Sequence, residues 1–266
     1  MVGAYASGKM LAEVEQGIGL VTFNNPSKLN AMSVEMWQGL DTILDEFARD
    51  EAVRVLVLTG AGHKAFVSGA DISQFAEHRG DAEAQREYDR GTAAGRARLA
   101  SFPKPVIARI RGYCLGGGLG IALQADIRIG AVDSQYGMPA TRLGTANGID
   151  LVRQLAGVIG PAYAKHMLFT GARVQSQEAG RMGLVNQVVR DEDLSDVVVD
   201  LAREIADNAP LSIRAAKVTV DSTLPHVDPA LLAEIQTAVD RCADSEDYVE
   251  GRNAFLEKRR PRFRGR

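Results

Sequence analysis

The stretch Pro105-Val-Ile-Ala-Arg-Ile-Arg-Gly112-Tyr-Cys-Leu-Gly116-Gly117-Gly118-Leu-Gly120 decides how this chain is read. Its β-branched apolar run, Val106–Ile110, reads as a strand and stops at Gly112. A glycine cluster follows and runs into Leu119-Gly-Ile-Ala-Leu-Gln124, which reads as a helix. Each glycine costs a helix about 0.5–1 kcal/mol relative to alanine, so three in succession at its start serve another purpose. They leave backbone N–H groups that have no partner within the helix and a main chain that a ligand can approach closely. Amides of that kind, at the positive end of a helix, stabilise negative charge developing on an oxygen, as in a thioester enolate.

Two other roles compete for these glycines. Close packing of helix on sheet would also use them. A dinucleotide site fails, because Gly118-Leu-Gly120-Ile-Ala-Leu123 has Leu where the third glycine of G-x-G-x-x-G belongs. The spacer Gly112-Tyr-Cys-Leu also separates the glycines from the strand.

A second segment complements the first. Val53–Thr59 reads as a buried strand bounded by Gly60-Ala-Gly62. After it, Lys64-Ala-Phe-Val-Ser-Gly69-Ala70-Asp71-Ile72 reads as a loop turning toward a helix. Two glycine-containing turns, each following a strand, can supply one amide apiece to a single carbonyl oxygen.

The motifs Asn30-Ala-Met, Ala65-Phe-Val-Ser-Gly-Ala-Asp-Ile72, Pro103-Lys-Pro-Val-Ile107, Gly112-Tyr-Cys-Leu-Gly-Gly-Gly118, Ala125-Asp126, Leu143-Gly-Thr145, Ala179-Gly-Arg-Met-Gly-Leu-Val185 and Ala254-Phe-Leu-Glu-Lys-Arg259 resemble those of the enoyl-CoA hydratase/isomerase (crotonase) superfamily. They run in order through nearly the whole chain. The resemblance implies an α/β fold, a spiral of repeated β-β-α units over residues 1–200 with a C-terminal helical trimerisation region over 201–266. It implies an acyl-CoA thioester as partner, with its carbonyl oxygen between the amides of Ala70 and Gly117. Gly69, Asp71, Ile72, Gly116, Ala140 and Arg142 would surround the acyl group, while Phe255, Lys258 and, more weakly, Lys28 would meet coenzyme A. No separate cofactor and no metal is implied, coenzyme A being part of the substrate. A homotrimer or a pair of trimers is the assembly it implies.

Hydratases of that family handle water with two glutamates, and the resemblance places these positions at Gly120 and Ala140. Neither residue can move a proton. Hydration needs a base on water and an acid for the α-carbon, and losing one such group costs typically ~10²–10⁴-fold. Isomerisation, decarboxylation or hydrolysis of a functionalised acyl-CoA is therefore expected ahead of standard hydration. A hydratase by analogy and a non-catalytic acyl-CoA binder are the competing readings.

Substitutes for the glutamates lie in Leu143-Gly-Thr-Ala-Asn147-Gly-Ile-Asp150. Some relatives place an acid near the position that is Gly148 here. Asp150 and Asn147 are accordingly candidate proton-transfer or polar groups, although a first-turn helix charge and a turn residue describe them equally. Arg142 follows Ala140 by two positions, which in an extended segment puts both on one face; a surface salt bridge is its plainer role. Asp126 and Tyr136 are expected to support the fold, and Cys114 to be small buried packing.

No G-x-S-x-G elbow and no Walker-type loop is present. His63, His78, His166 and His226 have no metal-ligand spacing. The net charge of −3, without a basic stripe, gives no support for nucleic-acid binding. Two cysteines, no signal-like start and no membrane-length apolar run point to a cytoplasmic protein.

Elsewhere, Met10–Gln16 and Ile18–Phe23 read as a hairpin across Gly17, Ser33 caps a helix to about Arg49, and a polar helix covers about Ala82–Leu99. Ile127–Ala131 reads as a strand. The chain from Pro161 onward reads as mainly helical, with Ser176 capping a short helix that stops at Gly183. Pro210 and Pro229 open helices, and Leu224–Leu232 forms a hinge. Lys258, Arg259, Arg260, Arg262, Arg264 and Arg266 form a basic tail.

Overall fold

The computed structural model of the protein describes residues 2–71, 82–221, 240, 243–259 and 261–262. Ile72, the Pro229 helix start, the Leu224–Leu232 hinge, His78, His226 and Arg260, Arg264 and Arg266 lie outside the described residues.

The chain forms two compact units, each assembled from separate segments. The first comprises Met1–Asp71, Ala94–Tyr136 and Val174–Leu224. Its main sheet has seven strands in the order β1-β2-β3-β4-β6-β8-β11. These are Gly3–Tyr5, Met10–Glu15, Ile18–Phe23, Val55–Gly60, Val106–Ile110, Ile127–Ala131 and Gln187–Val189. β2 and β3 pair antiparallel across Gln16-Gly17, both at positive φ, as a tight hairpin demands. From β3 through β4, β6, β8 and β11 the pairing is parallel.

Alternation along the parallel strands sends Val55, Val57, Ile107 and Ile129 to one face. There they bury against Leu194, Val198 and Ala202 of the helix Leu194–Asp207. Helix α1, Val34–Arg49, is capped by Ser33, whose side chain accepts from Met36 N–H at 3.2 Å. Asp126 and Tyr136 support the fold: the Asp126 carboxylate accepts from Val106 N–H at 2.7 Å and pairs with Lys217 at 2.9 Å. Tyr136 is fully buried with its hydroxyl 2.8 Å from that of Ser134.

A second sheet, order β10-β9-β7-β5, was not legible in the sequence. Its strands are Val174–Gln175, Gln135–Gly137, Tyr113–Leu115 and Ala65–Val67. The segment read as a loop before Ala70 therefore holds β5, and the Gly112–Leu115 spacer holds β7. Strands of two or three residues are too short to show a period. Strands β10 and β11 likewise interrupt the region expected to be mainly helical, and β4 begins at Val55 instead of Val53. The short helix Ser176–Arg181 does stop at Gly183, φ +77°, but Ser176 is not its cap. Its buried hydroxyl donates to Val132 C=O at 2.6 Å, which ties the helix to the turn after β8.

The second unit comprises Ile72–Ala93, Gly137–Arg173 and Pro225–Arg266. It contains the 3₁₀ turn Pro139–Leu143, the helix Ile149–Thr170 and the helix Glu246–Leu256. The helix Ile149–Thr170 breaks its geometry at Gly160, φ +75°, directly before Pro161.

Within the first unit, the start of the helix Gly117–Ala122 meets β5 at Gly118, where an added Cβ would lie 2.0 Å from Val67 C=O. Gly118→Ala must push backbone against backbone, at a cost on the order of 2–3 kcal/mol. A thermal melt should show Tm lowered by roughly 5–10 °C; an unchanged Tm would mean that β5 and the helix start are not packed as described.

Candidate active site

Ala70 lies three residues beyond β5, where the chain runs beside Met32 as an isolated parallel bridge. The bridge is made by Met32 N–H to Gly69 C=O at 2.8 Å and by Asp71 N–H to Met32 C=O at 2.9 Å. Both bonds use the residues flanking Ala70, so the N–H of Ala70 itself points away from Met32.

On that other side stands the start of the six-residue helix Gly117–Ala122. Gly116 turns the chain into it at φ 51°, ψ −117°, a conformation essentially confined to glycine. The position a Cβ on Gly117 would take is 3.7 Å from Ala70 N and 3.7 Å from the Gly69 carbonyl carbon. Among the described residues, neither the Ala70 N–H nor the Gly117 N–H donates to a protein acceptor. Two main-chain N–H groups without a protein acceptor among the described residues thus lie in neighbouring turns. Gly69, φ +130°, and Gly116, φ +51°, flank the two donors.

A brace formed by residues 28–32 holds the Ala70 side. Ser68 N–H donates to Leu29 C=O at 3.1 Å, in line with the two Met32 bonds. Leu29 and Asn30 take left-handed φ of 53° and 57°. The fully buried Asn30 amide makes this tolerable: its Nδ2 donates to Ala61 C=O at 3.0 Å and Ala65 C=O at 2.8 Å, while Oδ1 accepts from Asn25 N–H at 2.9 Å. In the sequence Asn30 stands out only as the first residue of the Asn30-Ala-Met motif. An asparagine beside a turn, being enriched in left-handed backbone, was the available signal. Lys28, expected against coenzyme A, forms an ion pair with Asp71 at 2.7 Å.

At the helix end of the same unit, the buried Gln124 amide donates to Gly120 C=O at 3.0 Å. Burial pushes the Cys114 thiol far above its ordinary range, so it is the small packing residue expected and no nucleophile. Arg128, nine-tenths enclosed, donates to Leu184 C=O at 2.8 Å and Ala125 C=O at 2.6 Å.

The remaining candidates belong to the second unit. Ala140 and Arg142 lie in a 3₁₀ turn and not in an extended segment, so a two-residue spacing separates their faces. Ala140 is buried; Arg142 is exposed and donates from Nε to Thr170 C=O at 3.3 Å in place of the expected salt bridge. Pro139, well suited to open such a turn, was the overlooked signal. Asn147 is half-buried in the irregular stretch before the helix Ile149–Thr170. The Asp150 side chain, in its first turn, is 71% exposed and 3.8 Å from Arg153. Phe255 is 53% exposed and Lys258 lies just past the last helix at φ +55°. Arg259, counted in the basic tail, grips Glu250 through both guanidinium nitrogens at 2.6 and 2.8 Å and holds that carboxyl down at about 2. Among the described residues, no group of three or more His, Cys, Asp or Glu could hold a metal ion. Nor is any described helix long and apolar enough to cross a membrane.

The family model described as enoyl-CoA hydratase/isomerase matches residues 13–266. A short-chain-enoyl-CoA hydratase of Clostridium acetobutylicum is 35% identical over 252 residues, 94% of this chain and 95% of that one. The carnitinyl-CoA dehydratase of Proteus mirabilis is 35% identical over 243 residues, 90% of this chain and 92% of its own. Among solved structures, a methylmalonyl-CoA decarboxylase in complex with 2-nitronate-propionyl-CoA superposes with a TM-score of 0.88 at 30% identity, covering 97% of this chain and 99% of that one. The chain belongs to the enoyl-CoA hydratase/isomerase family and is an acyl-CoA-processing enzyme of the crotonase fold.

Gly117→Pro tests the two-amide geometry directly. Proline fits the first helical position, and Gly116 before it has no Cβ to clash. The exchange deletes one donor, so kcat on an acyl-CoA substrate should fall by about 10²–10³-fold with the circular dichroism unchanged. Undiminished turnover in a folded variant would remove Gly117 from the site.

Proposed function

We propose that the enzyme forms a thioester enolate with its oxygen between the amides of Ala70 and Gly117, and that it does so by decarboxylating an acyl-CoA that carries a carboxylate on its α-carbon. Behind this reading stand the Ala70 and Gly117 N–H groups, which donate to no acceptor among the described residues, and the family resemblance, which puts Gly120 and Ala140 where hydratases carry glutamate.

In decarboxylation the bond between the α-carbon and the carboxylate breaks, CO₂ leaves, and the electron pair moves into the thioester carbonyl. The negative charge then collects on the oxygen that the two amides would receive. Water supplies the proton that quenches the α-carbon. No protein base is needed to reach the enolate, whereas isomerisation must abstract a proton and hydrolysis must activate water. The likeness to a decarboxylase at a TM-score of 0.88 supports the choice. The hydratase names of other relatives weigh the other way, and the two vacant carboxylate positions are the reason for departing from them. Coenzyme A enters as part of the substrate, and Phe255 and Lys258 keep their inferred place against it.

Asp150 and Asn147 remain the candidates for helping to return the proton, and the exposure of Asp150 makes it dispensable in this scheme. We infer further that the C-terminal region packs on a second copy of the chain, in a trimer or a pair of trimers. The helix Pro210–Asp221 leaves Leu211 80%, Val218 61% and Val220 64% exposed, in keeping with such a partner.

The discriminating assay offers the enzyme a malonyl-type thioester and, separately, a 2-enoyl-CoA. Release of CO₂ with formation of the saturated thioester is expected, while hydration of the enoyl-CoA should be slower by at least about 10²-fold. Rapid hydration without decarboxylation would overturn the proposal. In D₂O, Asp150→Asn should leave decarboxylation within about threefold of wild type, because solvent can deliver the proton; a drop of ~10²-fold would make Asp150 the acid.

A further inference from the structure

We propose that Lys28 and Asp71 are positioning residues for the Ala70 amide, joined in an ion pair that both aims this donor and cancels the negative charge beside it. The proposal rests on the reading that the amides of Ala70 and Gly117 receive the thioester oxygen.

The Ala70 N–H takes its direction from the peptide units on either side. Gly69 is held by its carbonyl to Met32 N–H and Asp71 by its N–H to Met32 C=O. A further tie within this stretch is ionic. The Asp71 carboxylate meets Lys28 Nζ at 2.7 Å, with the Asp71 side chain only 9% exposed and that of Lys28 49%. Lys28 itself ends the 3₁₀ turn Pro26–Lys28, and its neighbours Leu29 and Asn30 are locked into left-handed backbone by the buried Asn30 amide. The ammonium therefore approaches Asp71 from a rigid platform.

Charge adds a second consequence. A nearly buried carboxylate one residue from an oxyanion donor opposes negative charge arriving at that donor. The Lys28 ammonium offsets this field. Losing the lysine then does two harmful things, freeing the turn and exposing the developing oxyanion to Asp71. Losing the carboxylate frees the turn but also removes the opposing charge, so the two effects partly offset. Lys28→Met should consequently be more damaging than Asp71→Asn, an order that loss of a simple structural tie would not produce.

The test separates this idea from the reading beneath it. A saturated, unreactive acyl-CoA labelled with ¹³C at the thioester carbonyl is bound to the wild-type enzyme and its carbonyl shift is recorded. A downfield shift that Gly117→Pro abolishes supports the two-amide site; no shift in the wild type would end that reading whatever Lys28 does. Given the shift, Lys28→Met should reduce it and lower kcat by about tenfold, on the scale of a sub-ångström misplacement, with KM within about twofold. Asp71→Asn should do the same more weakly, and Lys28→Arg should recover most of both signals. An unaltered shift and kcat in folded Lys28→Met would overturn the positioning role. So would a rise in KM alone, which would return Lys28 to coenzyme A. If Lys28→Met does not fold, Lys28→Gln takes its place: wild-type shift and kcat in folded Lys28→Gln would equally refute the proposal.

Discussion

The proposed enolate chemistry requires two peptide planes, those carrying the Ala70 and Gly117 nitrogens, to face each other at a separation that one oxygen can span. Neither plane is set locally. The Ala70 plane is fixed by the ladder between residues 28–32 and 68–71, and the Gly117 plane by a backbone turn at Gly116 that only glycine adopts readily. The small sheet delivers both, since β5 leads to one turn and β7 to the other and the two strands are paired in parallel. The helix behind Gly117 has only six residues, so its dipole is a minor contributor beside the two directed N–H groups.

This arrangement limits what the enzyme can do as much as it enables it. A hole built from main-chain donors stabilises an enolate however the enolate arises, and side chains select the route. On the proposed reading, in which the family resemblance puts Gly120 and Ala140 at the two carboxylate positions, proton abstraction and water activation lose their usual agents, and a route driven by the substrate's own leaving group gains by comparison. Membership of a family with many hydratases fixes the fold and the thioester; the proposed reaction rests on these particular positions.

Much of this was readable from the residues because its signals are local. Val106–Ile110 and Ile127–Ala131 appear as strands at the predicted bounds, and Gly117 opens the predicted helix. What escaped was short or long-range. β5 and β7 are three residues each, too brief to alternate visibly, and the Met32 ladder and the Lys28–Asp71 pair join positions about forty apart. The misreading of Arg142 has another cause. A two-residue spacing puts two residues on one face only in extended backbone, and Pro139 with its fixed φ favours the tight turn that the chain adopts.

A crystal structure of the enzyme with a bound, unreactive acyl-CoA measures the central claim most directly. The account predicts the thioester oxygen within about 3 Å of both Ala70 N and Gly117 N. A carbonyl oxygen hydrogen-bonded elsewhere, with those two amides still unengaged, would contradict it.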